Sequence, residues 1–181
     1  MQVAPNLQEQ MLLQGQVDTI AIFTAPRYMN LVALKLDPDK DFRWIYYADS
    51  GVDLYSNGVM VSQKLAKEKP EAVKGLVRAI NKAIKEVVAN PDAAIELLAK
   101  REALINKDIE KRRLVYVYKT LIDTAEARQL GIGDTSDARM AGASATIAES
   151  FELPKVPAPA DVYSRAFLPS KAERTLAPVS N

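Results

Sequence analysis

Apolar and polar positions follow two different rhythms along the chain, and the change falls near residue 58. Before it, strand-like and helix-like stretches alternate. Met1 to Ala4 reads as the end of a strand. Asn6 follows as a helix N-cap, with Glu9 at the spacing that reaches back to the cap amide. Leu7, Met11 and Leu12 share one face, and Gly15 suits the left-handed position that ends the helix. Val17–Phe23 is rich in β-branched residues and reads as a strand. Two strands flanking a helix form a βαβ unit, with parallel strands and a right-handed crossover. Pro26 opens a helix over Arg27–Lys35 with Tyr28, Leu31, Val32 and Leu34 as its apolar residues. A turn over 36–41, a strand over Phe42–Ala48, a break at Asp49-Ser50-Gly51 and a short strand over Gly58–Ser62 follow.

After residue 62 the period is helical. Pro70 opens a long helix in which Val73, Leu76, Val77, Ile80, Ala83, Ile84, Val87 and Val88 form one stripe. Lys74, Arg78, Lys82 and Lys85 lie on its other side. Asn90-Pro91 starts a helix to about Lys100, and Asn106 starts one to about Ile122, across a Leu114–Tyr118 run with strand character. Gly131–Asp134 is a turn, and Ser136–Phe151 a helix with Met140, Ala143, Ile147 and Phe151 on one face. Pro154, Pro157 and Pro159 mark irregular chain, a short helix is expected around Asp161–Ala166, and the polar end from Lys171 to Asn181 is expected to be mobile.

Composition narrows the function. The 181 residues are 48% hydrophobic and 26% charged, the balance of a globular chain, and the net charge is +1. No basic excess is available for a phosphate backbone, so nucleic acid is not expected as a partner. There is no histidine and no cysteine. That excludes disulfides, thiolate chemistry, Ser-His and Cys-His nucleophiles and zinc sites built from either residue. No metal and no cofactor is expected. No run approaches the roughly 20 apolar residues of a membrane span, and the N-terminus has no basic and apolar leader pattern.

Few motifs carry chemistry by themselves. Gly131-Ile132-Gly133 resembles part of a nucleotide fingerprint, but no strand precedes it and no third glycine follows in register, so it reads as a turn. Asp49 and Asp53 could be an acid–base pair or simply turn-forming aspartates. Lysines 64, 67, 69, 74, 82 and 85, with Arg78, alternate with glutamates and read as a solvated face. The informative signal is position. In open parallel sheets, ligands bind beyond the carboxyl ends of the strands. Those ends place Thr24, Asp49 and Ser50 near Tyr28, Tyr46, Tyr47 and Tyr55, polar groups among aromatic walls. One of Tyr46 and Tyr47 is expected to be core, by alternation along a strand. The amides at the start of the helix near Pro26 face the same edge.

The segment Leu12–Ile20, LLQGQVDTI, resembles the helix-to-strand segment of the substrate-binding proteins of ABC importers, in the class for nitrate, sulfonates, taurine and thiamine-pyrimidine precursors. Asn57–Ala66, Lys69-Pro70-Glu71-Ala72-Val73, Leu130-Gly131-Ile132 and Phe167-Leu168-Pro169 resemble later pieces of the same pattern, in the same order. The resemblance implies an α/β type II periplasmic-binding fold, two three-layer lobes with parallel sheets that close on a ligand. It implies that residues 1–55 are part of the second lobe and 56–181 the mainly helical C-terminal part of the first, with the crossing near Asp53–Asn57. It also implies that an N-terminal portion and a signal peptide are missing. The cut sheets would then have open edges, and self-association of the truncated chain is expected.

The sequence reading is a solute-binding component that captures a small polar or anionic molecule and delivers it to an ABC permease, outside the cytoplasm, without catalysis. Thr24, Tyr28, Asp49, Ser50 and Tyr55 are the candidate ligand contacts, and Asn57 and Gly58 the hinge. Two rivals stand beside it. One is an enzyme of this fold that makes the thiamine pyrimidine by consuming its own histidine, which a chain without histidine opposes. The other is a helix-rich interaction module with no small ligand.

Overall fold

A computed structural model describes residues 4–176. Ten α-helices occur in this span, and no strand is formed among the described residues. They are α1 (Pro5–Leu13), α2 (Thr24–Ala33), α3 (Gln63–Glu68), α4 (Pro70–Ala89), α5 (Pro91–Arg101), α6 (Lys107–Val117), α7 (Ala125–Leu130), α8 (Asp137–Ser150), α9 (Pro159–Val162) and α10 (Lys171–Arg174). Short 3₁₀ turns cover Tyr47–Ser50 and Arg165–Phe167, and α6 widens into a π turn over Tyr118–Ile122.

The helices start where local chemistry supplies a cap. Ser62, Asn90, Asn106, Thr124 and Ser136 each accept a backbone N–H from the first turn of the helix they precede. Each such cap satisfies one of the four donors a helix leaves free. Proline sits first in α4 and α5, where its fixed φ favours the helix and no amide is lost. The same effect moves the start of α1: Pro5 is its first residue and Ala4 the N-cap, so the helix begins before the expected Asn6. Pro26 likewise falls inside the first turn of α2, which begins at Thr24. The Leu114–Tyr118 run is helical despite its β-branched residues.

The strand expectations are corrected over the described residues. Residues 17–23, 42–46 and 52–61 are irregular chain with no ladder, although Phe23 and Tyr46 have extended backbones. A strand is held by a neighbour, and these segments have none, so composition alone does not make them a sheet. The α/β layers are therefore absent here, and the chain is helix-rich. Tyr46 and Tyr47 are both exposed, and neither is core, because no sheet forms here to turn one of them inward. The expected strand over Met1–Ala4 lies mostly outside the described residues.

The packing is a chain of helix pairs. α6 contacts α2 and α5, α4 contacts α3, α5 and α10, and α9 lies on α8. Buried apolar side chains are few: Ala25, Met29 and Leu31 of α2, Val73 of α4, Ile95 of α5, Tyr118, and Met140 and Ala148 of α8. In α8 the inward stripe is Met140, Ser144 and Ala148, while Ile147 and Phe151 are exposed, a correction to the expected face. Small side chains at this spacing let the helix approach its neighbour closely. In α4 the expected stripe holds in part: Val73 is buried, Val77, Ile80, Ile84, Val87 and Val88 are half-buried, Leu76 and Ala83 are exposed, and the polar Asn81 is buried beside them.

A compact 19.9 kDa chain exposes about 8,700 Å² on the size scaling of monomers, and this one exposes 13,165 Å². Phe23, Ile45, Tyr47, Met60, Leu104 and Phe151 are among the apolar side chains in contact with solvent.

The C-terminal segment is anchored. Arg174 is buried and donates to the carbonyls of Pro169 (3.0 Å), Leu130 (3.1 Å) and Ile132 (3.3 Å) and to Asp134 Oδ2 (3.3 Å). The Ile132 N–H donates back to the Arg174 carbonyl at 2.9 Å. Gly131 makes room for this: its φ is +89°, and a Cβ there would meet Arg174 Nη1 at 2.9 Å. Arg165 pairs with Asp134 (2.7 Å) and Asp137 (2.8 Å), and a Ser170–Glu173 capping box starts α10. Glu173 also receives Arg78 Nε (3.2 Å), and its carbonyl receives Lys85 Nζ (3.3 Å). Part of the α4 cationic face is thus a docking edge for α10. Residues 171–176 are held in place, against the expectation of a mobile tail, while 177–181 lie outside the described residues.

Candidate functional site

The candidate residues fall into two tyrosine-centred clusters. The first is built on α2. Tyr28 is half-buried and its hydroxyl donates to Asp39 Oδ2 at 2.6 Å. Its ring lies between Tyr116 of α6 (centroids 4.6 Å, planes 19° apart) and Trp44 (6.0 Å, 28°). The 36–41 turn holds the acceptor in place: Asp37 Oδ1 accepts the N–H groups of Asp39 (3.1 Å) and Lys40 (3.3 Å), and Trp44 Nε1 donates to the Pro38 carbonyl (2.9 Å). The Asp39 hydrogen bond, then burial, push the Tyr28 hydroxyl up to about 12, so it stays a donor at neutral pH. An open depression of about 350 Å³ lies beside it, lined by Tyr28, Val32, Leu36 and Pro38 together with the charged Lys35, Asp37 and Arg112. That volume falls within the range of small-molecule sites.

A polar belt fixes α2 under this cluster. Arg113 of α6 donates to the Pro26 carbonyl (2.8 Å) and to Asn30 Oδ1 (3.3 Å), and Arg27 pairs with Glu9 of α1 at 3.2 Å. Thr24 opens α2 and is half-buried. Phe23, the N-cap, provides no side-chain acceptor for the first-turn amides.

The second cluster ties the 52–55 segment to α7 and α8. Tyr55 donates its hydroxyl to Glu126 Oε1 at 2.7 Å. The Ser136 N–H donates to both Glu126 Oε1 (3.0 Å) and the Tyr55 oxygen (3.2 Å). Arg139 bridges Glu126 Oε2 (2.7 Å) and Asp53 Oδ1 (2.6 Å) and lies 4.1 Å above the Tyr55 ring. Burial works against the Glu126 charge, yet the donors Tyr55, Arg139 and Ser136 hold its carboxyl below the usual range. Burial, then the bond to Glu126, push Tyr55 up.

The structure therefore places Tyr28 and Tyr55 in separate networks, and among the described residues no hydrogen bond or ring contact links them. Asp49 and Ser50 are exposed in the 3₁₀ turn between Trp44 and Asp53. Asp53 is engaged by Arg139, while Asp49 is exposed in the turn. Asn57 and Gly58 lie in the irregular 52–61 stretch, with open space around Gly58. Sequence reasoning missed Asp39, Trp44, Tyr116, Glu126 and Arg139. The Tyr55–Glu126 bond spans 71 residues, and no local spacing announces such a contact. Gly131 and Gly133 lie in a turn, as the sequence reading has it, and Arg174, which that reading did not place here, closes it.

The NMT1/THI5-like family model matches residues 2–94, just over half of the 181-residue chain. The chain belongs to that family, whose members are substrate-binding proteins for nitrate, sulfonates and thiamine precursors. The matched span contains Tyr28, Asp39 and Trp44 of the first cluster, the 47–50 turn, Tyr55 and all of α4, while Tyr116 lies beyond it. At the level of the family, the role is substrate binding in transport, and the family fold is the periplasmic-binding one. No curated relative matches the chain. No described helix is long and apolar enough to cross a membrane.

Proposed function

We propose that the chain is a solute-binding component of an ABC importer, carrying part of the ligand surface and delivering its ligand to a membrane permease on the extracytoplasmic side. The family match over residues 2–94 is the observation that carries this reading. The geometry supports it at Tyr28, where a neutral hydroxyl oriented by Asp39, an aromatic stack and a depression lined by one acidic and two basic side chains meet. Such a surface binds a small polar molecule through the Lys35 and Arg112 donors, the remaining lone pair of the Tyr28 hydroxyl and apolar walls. Thr24, Asp49, Ser50 and Tyr55 complete the proposed contact set, with Asn57 and Gly58 as the hinge. Residues 1–55 belong to one lobe and 56–181 to the other, each completed by chain beyond this one. The large exposed surface and the unladdered segments support that incompleteness. The role is binding and not catalysis: Asp53 and Glu126 are neutralised by Arg139, which makes them anchors.

The test is amide chemical-shift mapping with taurine, nitrate, an alkanesulfonate and an aminopyrimidine, each added to the chain. Saturable shifts at Thr24, Tyr28, Asp49, Ser50 and Tyr55 are expected with one of them. Saturable shifts confined to α4–α8, or none with any probe, contradict the assignment. The helix-rich interaction module is the second reading, favoured by the exposed apolar residues of α5 and α8.

A further inference from the structure

The crossing segment carries a chemically reactive pair. Asn57-Gly58 is the one place in the sequence where glycine follows asparagine. Both residues are exposed and lie in the irregular 52–61 stretch. Among the described residues, neither the Asn57 side chain nor the Gly58 N–H has a hydrogen-bond partner. A Cβ built at Gly58 meets nothing within 4 Å, and the Gly58 φ lies outside the left-handed region. Asn30, Asn81, Asn90 and Asn106 are held instead. Asn30 lies in α2 and donates to Glu9 at 3.3 Å, and the buried Asn81 lies in α4 and donates to the Val77 carbonyl at 3.0 Å. Asn90 and Asn106 cap α5 and α6 through their side-chain oxygens, and Pro91 after Asn90 has no N–H.

We propose that Asn57 is a site of spontaneous covalent modification, converted through a cyclic imide to aspartyl and isoaspartyl residues. The Gly58 nitrogen, once base has taken its proton, attacks Asn57 Cγ. The N–Cγ bond forms, the Cγ–Nδ2 bond breaks, and Nδ2 leaves as ammonia. Water then opens the imide. Attack at Cγ gives aspartate, and attack at the main-chain carbon gives isoaspartate. No oxidant or reductant takes part. The step is intramolecular, so its rate depends on how readily the pair reaches the ring geometry. Glycine favours that, because it has no Cβ to crowd the closing ring and its backbone turns freely. A helix would fix both the backbone and the amide away from the ring, as it does at Asn30 and Asn81. Either product places a new carboxylate beside Gly58 and takes the net charge from +1 to zero. Isoaspartate also adds a methylene to the main chain. On the lobe reading the pair is the crossing itself, so the modification alters the hinge. The chemistry stands apart from the ligand reading and proceeds whether or not a ligand binds.

The experiment is ageing of the full chain in mildly alkaline and mildly acidic buffer, followed by mass analysis of the tryptic peptide Trp44–Lys64, in which Asn57 is the single asparagine. Gly58→Val and a urea-unfolded sample accompany it. The open space at Gly58 accepts the valine, and helix content by circular dichroism checks the fold. Exchange of amide for acid at Asn57 is expected, with release of ammonia, a split into two isomeric peptides, and a higher rate in the alkaline buffer. Gly58→Val slows it by about tenfold or more, and the folded chain reacts within about tenfold of the unfolded one. An Asn57 amide that stays intact in the folded chain overturns the proposal. So does a rate indifferent to Gly58→Val, or a product that is aspartate with no isoaspartate, which bypasses the imide.

Discussion

Removing the Arg174 side chain isolates what holds the C-terminal segment to the body. The side chain is 7% exposed and its guanidinium spans four acceptors: three carbonyls and Asp134. Arg174→Ala strands those groups unequally. Asp134 keeps Arg165 at 2.7 Å and the Thr135 N–H at 2.9 Å, so its charge stays paired. The Leu130, Ile132 and Pro169 carbonyls lose their Arg174 donor. An unsatisfied buried acceptor costs about 1–3 kcal/mol, and water reaches some of these once the side chain is gone. The low end for each gives about 3 kcal/mol, in line with removing one partner of a buried charge pair. With a urea slope of about 2 kcal/mol/M, the unfolding midpoint falls by about 1.5 M. Equilibrium urea unfolding followed by circular dichroism reads this directly. Arg174→Lys recovers less than half, because one ammonium cannot span a fork of acceptors. A midpoint within about 0.3 M of wild type for Arg174→Ala would refute the reasoning.

Three further predictions follow from named groups. The Glu126 carboxyl is held below its usual range in the folded state, so its contribution is present at neutral pH and is lost as pH falls from the unfolded carboxylate range through the lower folded one. Glu126→Gln should flatten the acid limb of stability against pH in urea titrations, and an unchanged limb counts against the Tyr55–Glu126–Arg139 network. Tyr28 titrates near 12 when folded, so its contribution is intact below the ordinary tyrosine value of 10.0 and is lost between there and about 12. Ultraviolet titration of Tyr28→Phe should lose one late phenolate step, whereas loss of an ordinary early step contradicts the Asp39 bond. The Tyr118 hydroxyl is buried with no hydrogen-bond partner among the described residues. Tyr118→Phe should therefore raise the urea midpoint or leave it unchanged, by up to about 1 kcal/mol, and a clear loss of stability shows a partner for that hydroxyl.

What the sequence made legible was local. Asn90-Pro91, Asn106 and Ser136 mark helix starts because a side chain three residues from an amide needs no distant partner, and all three caps form at 3.0–3.2 Å. The long stripe of α4 was legible for the same reason. The strands were not: Val17–Phe23 and Phe42–Ala48 have the composition, but a ladder needs a neighbour and none is formed. The candidate site was half legible. Tyr28 and Tyr55 were visible as aromatics beside turns. Their partners Asp39, Tyr116, Glu126 and Arg139 come together only through packing of α2 on α6 and of the 52–55 segment on α7 and α8. Arg174 was hidden likewise, as one basic residue in a polar tail until its four acceptors converge on it.

The most direct test of the substrate-binding reading is the thermal midpoint of the chain with and without each of taurine, an alkanesulfonate, nitrate and an aminopyrimidine. A ligand at one hundred times its Kd adds about 2.7 kcal/mol, which moves the midpoint of a domain this size by roughly 5–10 °C. Such a shift is expected with one ligand class, reduced in Tyr28→Ala. A cooperative melt that no ligand moves at saturating concentration would contradict it.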